Sequence, residues 1–141
     1  MRTMMYDERL VTPMREELTR LGVQEMRTPA EVERTLRDAQ GTTLVVVNSI
    51  CGCAARNARP AVERALRHGK RPDRLTTVFA GQDAEATARV RSYFVPYPPS
   101  SPQIALLKDG AVAFMLERKN IEGRGADEIA KDLVEAFERY C

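Results

Sequence analysis

Apolar side chains change rhythm several times along the chain. From Val11 to Leu21, Met14, Leu18 and Leu21 repeat at helical spacing. Thr12 is placed to cap this helix, Pro13 suits its first turn, and Gly22 ends it. Thr28-Pro29 opens a second helix, with Glu31 three residues after Thr28 as in a capping box. Its stripe is Val32, Leu36 and Ala39, and Gly41 closes it. Thr42 to Val47 breaks the rhythm. TTLVVV is continuous and β-branched, the pattern of a strand buried on both faces, and Asn48-Ser49 interrupts it. Ala54 to Arg67 is helical again, with Ala58, Val62, Ala65 and Leu66 inward, a kink predicted at Pro60, and His68-Gly69 at the end.

Leu75 to Ala80 reads as a second strand, and Asp83 opens a helix reaching Tyr93. Val95 to Pro102 holds four of the eight prolines and excludes regular structure. Gln103–Leu107 and Ala111–Leu116 flank Asp109-Gly110, a two-residue hairpin turn. After Gly123 and Gly125, Asp127 caps a last helix with Ile129, Leu133, Val134 and Phe137 inward. The order α-α-β-α-β-α-β-β-α predicts an α/β fold with a mixed four-stranded sheet. Its first strand pair is parallel, its last antiparallel, and helices cover both faces.

Composition narrows the function. The 141 residues suffice for one domain, 1–141, with a hydrophobic core, and 43% apolar with 30% charged residues is a globular balance. A net charge of +2, from 22 basic and 20 acidic residues, argues against nucleic-acid binding by bulk charge. No apolar stretch approaches a membrane span, and Met1–Leu10 is too polar for a signal peptide. The expected setting is therefore the reducing cytoplasm, away from the membrane. There, three cysteines point to catalysis or metal binding rather than to a disulfide framework.

The chemistry gathers at Asn48-Ser49-Ile50-Cys51-Gly52-Cys53-Ala54-Ala55, where the buried strand passes into a helix. Sites in open α/β sheets lie beyond the carboxyl ends of strands. A thiol at a helix N-terminus meets free N–H groups and the positive end of the dipole, which favour thiolate. Cys51 is thus expected to titrate below the free value of about 8.5. Arg56 and Arg59, with no acid between Asn48 and Pro60, add to that field. Gly52 lets the chain bend so that Cys51 and Cys53 can approach disulfide distance, in a small, strained and readily reduced ring. The plainer alternative is two small buried cysteines at a helix start. A metal site needs more ligands than this, and only His68 and Cys141 remain as soft candidates, far along the chain.

Ser101-Pro102 precedes the Gln103 strand, either as an edge device or as a cis peptide beside the reactive thiol. Tyr93, Phe94 and Tyr97 either pack the proline loop or line a groove for substrate. Cys141 reads as an exposed terminal thiol and His68 as a solvated helix-end residue. Arg15, Arg20, Arg34 and Arg37 read as solvated faces.

Together these segments resemble the thioredoxin fold, and more narrowly the bacilliredoxin family. The likeness is carried by Leu44-Val45-Val46-Val47-Asn48-Ser49, Cys51-Gly52-Cys53-Ala54-Ala55, Ala58-Arg59-Pro60 and Thr77-Val78-Phe79-Ala80-Gly81-Gln82-Asp83. Ser100-Ser101-Pro102, Ala105-Leu106-Leu107-Lys108 and Ile121-Glu122-Gly123 extend it over nearly the whole chain, both N-terminal helices and Cys141 included. It implies a thiol–disulfide oxidoreductase that removes bacillithiol from S-bacillithiolated client proteins. Bacillithiol is then a co-substrate, and no bound cofactor or metal is expected. It further implies Cys51 as nucleophile, Cys53 as candidate resolving thiol, and Pro102 as a cis-proline facing Cys51. Ser49 and Ser101 are the expected substrate-binding residues. The chain has CxC where thioredoxins have CxxC, and it lacks the tryptophan that precedes that motif. Efficient reduction by thioredoxin reductase therefore does not follow from the likeness. A general disulfide isomerase or reductase, and a metal-binding CxC module, are the alternatives.

Overall fold

The computed structural model describes residues 6–141, so the reading of Met1–Leu10 falls partly outside the described residues. The chain runs α1 (Glu8–Thr19), β1 (Gln24–Glu25), α2 (Pro29–Leu36), β2 (Thr42–Asn48), a π-helical turn (Ala54–Ala58) continuing into α3 (Arg59–Ala65), and β3 (Arg74–Phe79). It continues α4 (Ala84–Ser92), β4 (Gln103–Lys108), β5 (Ala111–Leu116), α5 (Arg118–Ile121) and α6 (Ala126–Tyr140). The sheet order is β1-β3-β2-β4-β5. β2 runs parallel to β3 and antiparallel to β4, and β4–β5 is the antiparallel hairpin. The expected sheet is thus present with a fifth strand, the two-residue edge β1 beside β3.

All seven residues of β2 are buried. Alternation along a strand sends neighbours to opposite faces. Leu44 and Val46 meet Val62, Leu133 and Phe137 from α3 and α6, while Val45 and Val47 meet Val32, Val90 and Phe94 on the other side. This sandwiching fixes where β2 ends, and so fixes the Cys51 loop at the rim of the sheet.

Three helix ends differ from the expectation. α1 starts a turn earlier, because the Asp7 carboxylate accepts the Arg9 N–H at 2.8 Å and serves as its cap. Thr12 and Pro13 therefore lie inside the helix, and the Thr12 hydroxyl donates to the Glu8 carbonyl. α2 stops at Leu36, since Asp38 turns left-handed at φ 56°, and Ala39 leaves the stripe. Gly125 occupies the cap position of α6, and Asp127 lies in its first turn, where its charge complements the dipole. Pro60 does mark an irregularity. Just before it the Arg59 N–H reaches back five residues to the Ala54 carbonyl, opening the wide π turn.

Arg15 corrects the reading of a solvated face. It is buried, donates to Glu8, Glu25 and Asp83 at 2.6–2.7 Å, and lies over the Phe79 ring at 5.3 Å. Three carboxylates from three segments compensate its charge, which lets it cross-link α1 to β1 and to the end of β3.

Candidate active site

Cys51 lies three residues beyond the end of β2, and helical geometry begins at Gly52. The Cys51 carbonyl accepts the N–H groups of Ala54 and Ala55 at 3.1 and 3.2 Å, so the residue stands at the N-terminal edge of the helix. Its own N–H donates to the Ser49 hydroxyl at 3.0 Å. The turn beneath is held by buried polar groups. Asn48 Oδ1 accepts the Ser49 N–H and Arg59 Nη1, each at 2.9 Å, and Asn48 Nδ2 donates to the Met14 carbonyl. Arg59 Nη1 also donates to the Ser49 carbonyl at 2.8 Å, while its Nε pairs with Glu17 at 3.0 Å.

The two motif thiols are free and half-buried, and their environments push them apart. For Cys51, burial opposes the thiolate as the largest single influence. Hydrogen bonds from the Ser49 hydroxyl and the Ala54 and Cys53 N–H groups, with the charge of Arg118, outweigh it and hold the thiol below its usual range. Cys53 is pushed up, first by burial, then by the Cys51 and Glu122 charges and its hydrogen bond to Cys51. The helix N-terminus thus acts on Cys51 as expected, but the cation does not come from where the sequence suggests. Arg59 is buried under the loop and Arg56 is exposed, whereas the nearby charge is Arg118 at the start of α5. Sequence proximity carries no trace of it, because Arg118 follows the β4–β5 hairpin and comes near Cys51 only in the assembled sheet.

Gly52 takes ordinary helical backbone rather than a left-handed bend, and a Cβ there would meet only the flexible tip of Arg56, at 2.7 Å. The Ser101–Pro102 peptide is cis, as is Val95–Pro96 in the same loop. Pro102 is buried, and Ser101 shares a recess of about 320 Å³ with Cys51, Ser49, Tyr6, Arg91 and Arg118. Cys53 opens onto a different recess of about 240 Å³, beside Gly52, Arg56, Asn57 and Gly123. Asn57 ties that side together by donating to the Ile121 and Arg124 carbonyls. The aromatic groove does not form at Cys51: Phe94 is in the core, Tyr93 donates to Glu33, and Tyr97 is exposed.

Cys141 is exposed beyond α6, and His68 pairs with Glu138 of α6. Among the described residues, no group of three or more His, Cys, Asp or Glu side chains gathers to hold a metal. No helix among them is long and apolar enough to cross a membrane. The arrangement places one thiol where its surroundings favour the thiolate, a second thiol two residues on whose surroundings favour the protonated form, and a recess beside each. Those are the requirements of thiol–disulfide exchange.

Comparison with known proteins agrees. The family model described as disulphide isomerase matches residues 6–141. A bacilliredoxin of Salinibacter ruber is 58% identical over 140 residues, 98% of this chain and 82% of that protein. A bacilliredoxin of Koribacter versatilis is 53% identical over 137 residues, 97% of this chain and 94% of that protein. In fold, the chain is similar to Fasciola hepatica thioredoxin at a TM-score of 0.57 and 21% identity, over 84% of this chain and all of that one.

Proposed function

The chain belongs to the bacilliredoxin family and is a thiol–disulfide oxidoreductase, and from that premise we propose that it removes bacillithiol from S-bacillithiolated client proteins. The Cys51 thiolate attacks the bacillithiol sulfur of the mixed disulfide. A Cys51–bacillithiol disulfide forms, the client S–S bond breaks, and the client cysteine leaves as thiolate with the bond's electron pair. The client cysteine is thereby reduced and Cys51 oxidised to the disulfide level, so the step needs no outside oxidant or reductant. Cys53 then loses its proton to solvent and attacks the Cys51 sulfur, forming a Cys51–Cys53 disulfide and expelling bacillithiol. A thiol reductant, free bacillithiol among them, must return that disulfide to two thiols.

The observation that carries this reading is the placement of Cys51 at the N-terminal edge of the helix, facing an open recess with Ser101 and Arg118, with Cys53 two residues on beside a recess of its own. The opposite directions in which the two thiols are pushed agree with it. Cys51 is the thiol whose surroundings favour the thiolate, and Cys53 the one whose surroundings favour the thiol. Once Cys51 is in a mixed disulfide its negative charge is gone, and with it part of what holds Cys53 up. The first step thus primes the second.

A client protein carrying one bacillithiol adduct tests the assignment. Cys51→Ala is expected to abolish release of the client thiol. Cys53→Ala is expected to keep the first step and to hold the adduct until free bacillithiol is supplied. Release by Cys51→Ala at the unmodified rate would reverse the roles. A second reading, isomerisation of protein disulfides, is favoured by the description of the matching family. It is distinguished by refolding of a scrambled disulfide protein, which requires no small thiol.

A further inference from the structure

We infer that the recess beside Cys51 seats the carboxylate-bearing end of an anionic small thiol, with Arg91 and Arg118 as its ligands. This rests on the reading that Cys51 takes up a small-thiol adduct, and adds which part of that molecule the protein recognises.

The buried arginines of this chain set the expectation. Arg15 is matched by three carboxylates and Arg59 by Glu17. Arg91 differs. Its guanidinium is half-buried; among the described residues its enclosed Nε has no partner and its one hydrogen bond is from Nη2 to the Ser100 carbonyl at 3.0 Å. Burial alone pushes its affinity for the proton down, with no carboxylate to restore it. A half-buried cation with no counter-charge among the described residues is left free to pair with an incoming anion.

Arg118 lines the same recess. Its Nη1 donates to the Ser101 carbonyl at 3.2 Å, so two guanidinium groups are tethered to consecutive carbonyls of one loop. Arg118 also pairs with Glu122 at 3.0 Å, but both side chains are well exposed, and such a surface pair yields readily to a ligand. No Asp or Glu lines the recess among the described residues. Its volume of about 320 Å³ is at the lower end of the range for small-molecule pockets. Cys51 fixes one end of an adduct through sulfur, and the arginines are placed to take carboxylates at the other by charge-assisted, fork-like bonds.

The test uses Cys53→Ala/Cys141→Ala protein, in which Cys51 is the only thiol, and two 2-pyridyl disulfides. One carries neutral 2-mercaptoethanol and the other mercaptosuccinate, with two carboxylates. Attack at the aliphatic sulfur forms the Cys51 mixed disulfide and expels pyridine-2-thiolate, which takes the bond's electron pair and is followed by absorbance. Rates are divided by those of free 2-mercaptoethanol with the same probes. We expect a preference of about tenfold for the dianionic probe. Arg91→Gln should reduce it to within about twofold, with Arg91→Lys between. In the unsubstituted chain, added succinate should slow alkylation of Cys51 by uncharged iodoacetamide, a readout that does not depend on how any arginine variant folds. Equal rates for both probes, a preference unchanged by Arg91→Gln, or no protection by succinate would each overturn the inference. A preference confined to disulfides of acidic peptides would assign the recess to the client instead, and would also overturn it. If the anionic preference holds but a bacillithiolated client is not cleared, the functional reading fails and the anion site stands.

Discussion

At the scale of single residues, the reactivity proposed for Cys51 depends on a few identifiable contacts. The Ser49 hydroxyl and the charge of Arg118 both stabilise its thiolate. Attack rate follows the thiolate fraction, so the rate rises as pH rises through the Cys51 value and is flat above it. Removing a stabilising contact raises that value and moves the rise to higher pH. Ser49→Ala is expected to shift the alkylation profile upward at any salt concentration. Arg118→Gln should shift it upward chiefly at low salt, because its contribution is Coulombic and partly exposed. Rates of iodoacetamide alkylation across pH check both, and an unmoved profile in Ser49→Ala contradicts the account. The position of Cys51 is legible in the sequence because a strand running into a helix fixes where the N-terminal N–H groups point. The cation is not, since Arg118 and Arg91 reach the site only through tertiary pairing.

At the scale of elements, the site rests on the junction of β2 with the π turn and α3. Arg59 ties Glu17 of α1 to Asn48 and the Ser49 carbonyl, so it positions the turn that carries Cys51. Arg59→Leu leaves two buried acceptors short of a donor and is expected to cost about 1–3 kcal/mol in urea unfolding. By loosening the turn that holds Ser49 beside Cys51 it should also raise the Cys51 alkylation profile in pH, and an unmoved profile would leave Arg59 a role in stability alone. Arg15→Met should cost more, about 3–5 kcal/mol, because it strands the buried Asp83 charge. A loss under 1 kcal/mol would show that the Arg15 cluster is not what joins α1 to the sheet. Continuous runs such as TTLVVV are legible because burial on both faces demands them. Gln24–Glu25 and Arg118–Ile121 are too short to carry a period. Arg15 reads as solvent-facing because charge, taken alone, does not reveal three partners supplied by distant segments.

At the scale of the whole molecule, three connections converge at one rim of the sheet. They are the loop after β2 with Cys51, the proline loop before β4 with Ser101, and the β5–α5 junction with Arg118. The order of strands brings them together, and the cysteine motif with its flanking blocks already points to that architecture. The division into two recesses, one at each thiol, is a property of the assembled fold. The central claim is that Cys51 itself takes the bacillithiol group. Intact-protein mass spectrometry of Cys53→Ala, mixed with a bacillithiolated client in the absence of free thiol, measures this directly. The account predicts a gain of one bacillithiol, localised by peptide mapping to Cys51, matched by loss of the adduct from the client. An unmodified Cys51 alongside a cleared client, or an adduct found on Cys141, would contradict it.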